Sequence, residues 1–285
     1  MSTKTFLQSL LTLGALAVTA PSFALSVDLN LTDPDSREDP YTEVRLVRSC
    51  WFWFCSYSTE EYESPYYAME YNYHIDELDV GLTVQGFSYN SNSTIESDWV
   101  GNWANMGSYG QDYGLGIEYA ESPNHAIDNS NSDFDMLLLA FDQEVNLEAI
   151  SSGWRGNGYN YSSGTAANSE ASLMAFTGDL ASADSFEGKQ WQDLLGLGWE
   201  SAGDTRIQNL NTATDVNAGG LTSRFWLVGA YNQNLGGTSG FSAGNDFFKL
   251  NGISIDVNPV PLPGSLILFG TSLIAFGSLR RKAKK

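Results

Sequence analysis

Histidine and cysteine are nearly missing from this chain, with two of each in 285 residues. His74 and His125 stand far apart, and neither has a cysteine beside it, so a zinc site of clustered His and Cys has too few ligands. A hydrolytic Ser-His-Asp arrangement lacks any segment that would assemble it. Basic residues are also scarce, 14 Lys and Arg against 34 Asp and Glu. All the acidic residues lie between positions 25 and 259, together with the 8 basic ones that remain after Lys4 and five at the C-terminus, which makes that body −26. Such a surface repels phosphate backbones, which excludes nucleic acid as a partner, and it attracts divalent cations. Long apolar runs are confined to the two ends.

At the N-terminus Lys4 precedes the largely apolar stretch Phe6 to Val18, and Ser22-Phe23-Ala24 supplies small residues at the −3 and −1 positions of a cleavage site. This is the pattern of a secretory signal, residues 1–24, cut after Ala24. At the other end, Leu262 to Leu279 runs 18 residues without a charge, against the roughly 17–25 needed to span a bilayer. Arg280, Arg281, Lys282, Lys284 and Lys285 follow at once, a basic stop that belongs on the cytoplasmic side. The body, residues 25–259, is then expected outside the cytoplasmic membrane.

Pro261 and Pro263 stiffen the approach to that apolar run. Val260-Pro261-Leu262-Pro263, a glycine-containing apolar helix and a terminal basic cluster, in that order over residues 260–285, resemble the PEP-CTERM protein-sorting signal. Leu262 stands where the name motif has Glu, so the tail is similar to the Val-Pro-Leu-Pro variant. The resemblance implies an exosortase-type enzyme that cuts near Pro263, an inner-membrane stage before processing, and release to the cell surface, envelope or extracellular matrix of a bacterium. It also implies association with exopolysaccharide or biofilm. A looser resemblance, carried by "HAIDN", "DMLLLAF", "VNLEAISSGW", "WLVGAYN" and "NDFFKL", is to a jelly-roll-like domain common among such exported proteins.

The body reads as all-β. Its patterned segments are short and rich in aromatic and β-branched residues, at 26–31, 43–49, 66–73, 78–87, 114–119, 134–141, 144–150, 171–176, 223–231 and 247–257. Gly/Ser/Asn/Asp clusters such as "SYNSNSTIESD" and "NQNLGGTSGFSAGN" separate them. Many short strands with turn chemistry between them predict an antiparallel β-sandwich or jelly roll. Residues 32–42 read as a loop and 188–199 as a helical turn.

Four groups of residues could carry chemistry. Cys50 and Cys55, in an oxidising compartment, are expected as a disulfide, whose six-residue loop contributes only about 2 kcal/mol. Asp128, Asp133, Asp135 and Asp246, with nearby loop carbonyls, are hard oxygen donors suited to a structural Ca²⁺. The plainer reading, which the sequence favours, is a solvated acidic loop, with Asp128 and Asn129 capping nearby backbone N–H groups. Residues 50–73 hold ten aromatics in 24 positions, and Trp51 and Trp53 are candidates for stacking on sugar rings. The competing role for such a stretch is cross-strand packing. Carboxylate pairs are too abundant to single out a glycosidase dyad. The expected function is therefore non-enzymatic, structural or adhesive, with no cofactor beyond a structural Ca²⁺ and with a carbohydrate-binding module as the alternative.

Overall fold

In the computed structural model, residues 25–51, 54–89, 94–104, 111–117, 125–130, 133–157, 168–179 and 186–257 are described. The signal segment, the sorting motif Val260 to Pro263, the run Leu262 to Leu279 and the basic stop lie outside them. Among the described residues no helix is long and apolar enough to cross a membrane.

The chain is antiparallel β throughout. Its strands are β1 (Leu25–Asn30), β2 (Ser36–Trp51), β3 (Phe54–Ile75), β4 (Val80–Tyr89), β5 (Ile95–Asp98), β6 (Val100–Asn102) and β7 (Leu115–Ile117). There follow β8 (Ile127–Asp128), β9 (Met136–Asn157), β10 (Ser169–Phe176), β11 (Trp199–Ile207), β12 (Thr214–Asp215), β13 (Ser223–Ala230) and β14 (Asp246–Val257). They form one hydrogen-bonded sheet in the order β1-β14-β7-β6-β3-β4-β9-β13-β10-β11. An additional β14–β9 pairing joins two distant members of that order. Strands β14, β7, β6, β3, β4 and β9 therefore close into a six-stranded barrel, and β13, β10 and β11 extend the sheet beyond it.

The closure depends on β9. Two segments expected as separate strands, 134–141 and 144–150, belong to this single element. Its first half, Met136 to Phe141, pairs with β4 on one side, and Met136 to Ala140 pair with β13 on the other. Its second half, Asn146 to Asn157, pairs with β14. The two halves thus line different parts of the barrel, and a sheet expected as two packed layers is continuous through one strand.

"MLLLAF" is apolar at every position because both faces of this part of the sheet are covered. Leu137, Leu139 and Phe141 join the larger apolar cluster with Leu82, Val84, Trp226 and Val228. Met136 and Leu138 face the other way, into a second cluster with Phe186, Trp191, Leu194 and Trp199. The cover on that second face is the segment around a 3-10 helix, Trp191–Gly196, within the region expected as a helical turn. Trp191 is fully buried there, and its backbone N–H donates to the Tyr89 hydroxyl at 3.0 Å.

One expectation is corrected. Residues 36–42 are strand, within β2, rather than loop. Their charges and Pro40 suit a strand that pairs only with β3, because an edge loses least from a missing N–H. Strands β5, β6, β8, β11 and β12 carry too little apolar periodicity to read from sequence, and β5 lies within a predicted turn cluster. At the far end of the sheet, Leu25 stands opposite Val257. The two ends of the described body are neighbours on one edge.

Candidate functional site

The aspartates considered as calcium ligands lie on or beside β8, β9 and β14, and each accepts from a backbone amide. Asn129 is the centre. Its amide nitrogen donates to the Tyr231 carbonyl at 2.8 Å and to Asp246 Oδ2 at 3.3 Å, and its oxygen accepts from the Asp246 N–H at 2.9 Å. Asp246 Oδ1 accepts from the Glu170 N–H at 2.8 Å. Asp135 Oδ2 accepts from the Asp128 N–H at 3.0 Å, and Asp128 Oδ1 accepts from the Ser130 N–H at 2.7 Å. Asp133 Oδ1 accepts from the Tyr89 N–H at 2.9 Å. This is the self-capping arrangement, which satisfies loop donors that would otherwise be buried without partners.

Burial pushes the Asp246 carboxyl up to about 7, aided by the nearby Glu170 charge and opposed by the donated hydrogen bonds. Glu170 in turn pairs with Arg206 Nε at 2.9 Å and accepts from the Ser242 N–H at 2.7 Å. Among the described residues no three His, Cys, Asp or Glu side chains gather in one cluster.

The aromatic candidates are placed differently. Cys50 is directly opposite Cys55 and Trp51 opposite Phe54 across the β2–β3 hairpin, so the register suits a cross-strand disulfide. Trp53 lies outside the described residues. A second aromatic group, which the sequence did not single out, surrounds Lys249. Tyr66 stacks on Trp103 with centroids 5.7 Å apart and planes 5° from parallel, and Trp103 stacks on His125 at 5.4 Å. Lys249 Nζ lies 4.5 Å from the Trp103 ring centroid and donates to the His125 carbonyl at 2.6 Å. Burial holds its ammonium well below the usual lysine range. These rings fasten β14 to the β6 end rather than form an open platform, since only Tyr66 among them is exposed.

A cleft of about 420 Å³ opens on the outer face of β3 and β4. Register explains its composition. Glu38 on β2, Glu70 on β3, Gln85 on β4 and Leu138 on β9 stand side by side across four strands. Leu227 on β13 and Met174 on β10 continue the row. Under the cover formed around Trp191 this face is apolar; where the cover ends, it turns polar.

Phe186 and Glu187 form the wall at that boundary. They are fixed because Ile95 exchanges backbone hydrogen bonds with Gly188 and Lys189, both at 2.8 Å. Phe186 meets Phe87 edge-on at 4.8 Å in the cleft floor. Gln85 Nε2 donates to Glu70 Oε2 at 3.0 Å. Glu38 and Glu70 are like charges directly opposite on paired strands, an arrangement that disfavours their pairing. The cleft offers several oxygen acceptors, one amide and an apolar wall. It suits a neutral molecule dense in hydroxyl donors, with a ring face to lay against carbon.

Comparison with protein-family models, curated proteins and solved structures found no match to this chain.

Proposed function

We propose that this chain is an exported bacterial envelope or matrix protein of adhesive, non-enzymatic role, which holds exopolysaccharide by its hydroxyl groups in the Glu38–Glu70–Gln85 cleft. The observation that carries the reading is that cross-strand row of acid, acid and amide beside the Phe87–Phe186 wall. Acidic and amide oxygens accept from sugar hydroxyls, and an apolar wall takes the less polar ring face. The secretion and sorting half of the proposal rests on the end segments, an exosortase-type enzyme reading Val260-Pro261-Leu262-Pro263 after passage through the inner membrane. The Cys50–Cys55 disulfide belongs to the same proposal. So does a jelly-roll kinship, which is supported by the apolar cover on both faces of β9, β13 and β10.

Affinity measurements on polysaccharide fractions test the cleft. Binding by the wild type should weaken about tenfold or more in Glu70→Gln and in Glu38→Gln, the loss expected for one charge-assisted hydrogen bond. Equal affinity in both variants sinks the cleft, and turnover of any polysaccharide sinks the non-enzymatic role. For sorting, the intact mass of the mature protein is decisive: an uncut tail in exosortase-bearing cells would remove that half.

A further inference from the structure

The described edge of the sheet holds a second polar cluster, at the bulge where β9 meets β14. Ser26, Asp256 and Asn146 stand side by side on β1, β14 and β9. Next along β9, Leu147 faces Ile255 while Ala149 faces Ser254, so Glu148 is the extra residue of a bulge. Bulges re-aim a side chain. Here Glu148 comes to lie over β1, where its Oε2 accepts from Ser26 Oγ at 2.6 Å.

Asp256 is only 7% exposed, and its Oδ1 is enclosed without any hydrogen-bond donor. Buried carboxylate oxygens are ordinarily satisfied, and an orphan one costs stability unless something else fills the role. Burial, and then the charge of Glu148, raise the Asp256 carboxyl above its ordinary range. Among the described residues neither carboxylate has an ion-pair partner. The Asn146 oxygen completes the row and accepts from Asn217 Nδ2 at 2.6 Å.

We propose that Asp256 and Glu148, with Ser26 Oγ and the Asn146 side-chain oxygen, hold a divalent cation of the Ca²⁺ class. All the donors are hard oxygens contributed by three strands, and neither nitrogen nor sulfur is present to favour a transition metal. The cation supplies the partner that Asp256 Oδ1 lacks and removes the repulsion between the two acids. Two carboxylates and two neutral oxygens leave positions for water, so the affinity belongs to the weak range of extracellular Ca²⁺ modules, Kd about 10⁻⁴–10⁻³ M. Its effect is to pin β1 to β14 and β9, one residue from the Leu25–Val257 pair. The site is distinct from the saccharide cleft, and its test does not depend on that reading.

The experiment is Ca²⁺ titration of the full-length chain in detergent, stripped beforehand with chelator, read by thermal unfolding and by calorimetric stoichiometry. The wild type should gain about 3 °C in Tm at a tenfold excess over Kd. It should also bind one more Ca²⁺ per chain than Asp256→Asn. Glu148→Gln should weaken the same step about tenfold, while Asp142→Asn, an exposed acid elsewhere on β9, leaves it unchanged. If Asp256→Asn is more stable than the wild type without Ca²⁺ and binds the same number of ions, the carboxylate is merely strained and the site does not exist. An unaltered Glu148→Gln titration overturns it equally, even where the Asp256 variant folds poorly.

Discussion

At the scale of single residues, the Asp246 carboxyl shows how burial and hydrogen bonding oppose each other. It is 1% exposed, and its apex position between Asn129 and Glu170 is satisfied by donated hydrogen bonds, yet desolvation still moves it up to about 7. A carboxyl whose folded value is raised keeps its proton in the native state where the unfolded chain has lost it. Between the ordinary carboxylate range and pH 7 the native state binds more protons, so stability falls as pH rises through that window and is flat above it. Wild-type Tm should therefore drop between pH 4 and pH 7, with Glu170 and Arg206 as the charged groups facing the site. Asp246→Asn should show a shallower drop, measured by calorimetry across the same range. A steeper one would contradict the assigned cause. The burial of this aspartate was invisible in sequence, where Asp246 was one of 34 acids in a Gly/Asn-rich loop; turn chemistry is local and does not record that Asn129 and Glu170 lie across from it.

At the scale of elements, the short strands do more than their length suggests. β7 has three residues, all buried, and supplies the link between β14 and β6 that closes the barrel. Gly116 at its centre is hemmed in by backbone: a Cβ there would lie 1.9 Å from the His125 carbonyl oxygen. That neighbour is main chain and cannot rotate away. Gly116→Ala should cost roughly 3 kcal/mol, measured by denaturant unfolding, with the loss showing first as faster hydrogen exchange in β6 and β7. A neutral substitution would mean that the seam is not closed.

Segments with strong apolar patterning were legible as strand because alternation and turn residues are local properties, while the full lengths of β2, β3 and β9 were not. β7 was read as part of a longer segment, and β11, with Glu200, Asp204, Thr205 and Arg206 among its residues, was not read at all. Its outer edge carries no further pairing along the sheet order, so polar side chains cost little there. The same reason hid the start of β2, and with it Glu38. The cleft was thus missed through one strand boundary.

At the scale of the whole molecule, closure brings the ends of the body together. Leu25 and Val257 face each other on antiparallel neighbours, where paired Cα atoms stand about 5 Å apart. A short Gly/Ser linker from Val257 to Leu25 should form an ordinary hairpin. A chain permuted in this way and opened at the exposed Ala218–Gly219–Gly220 turn should fold, with a Tm within a few degrees of the parent body. Failure to fold would show that the β1–β14 register is wrong.

What the sequence determined by itself is whatever depends on neighbours in the chain: an antiparallel β class from alternation and turn residues, turn clusters rich in capping side chains, a strongly acidic composition, and the expectation of export written in the end segments. Only tertiary structure decided that β9 would serve both sides of a barrel, that Glu38, Glu70 and Gln85 would share one row, and that Asp256 would sit beside Glu148. Strand pairing is made by backbone groups that every residue carries alike. The partner of a strand is therefore chosen by the packing of the whole, and composition along the chain does not record it.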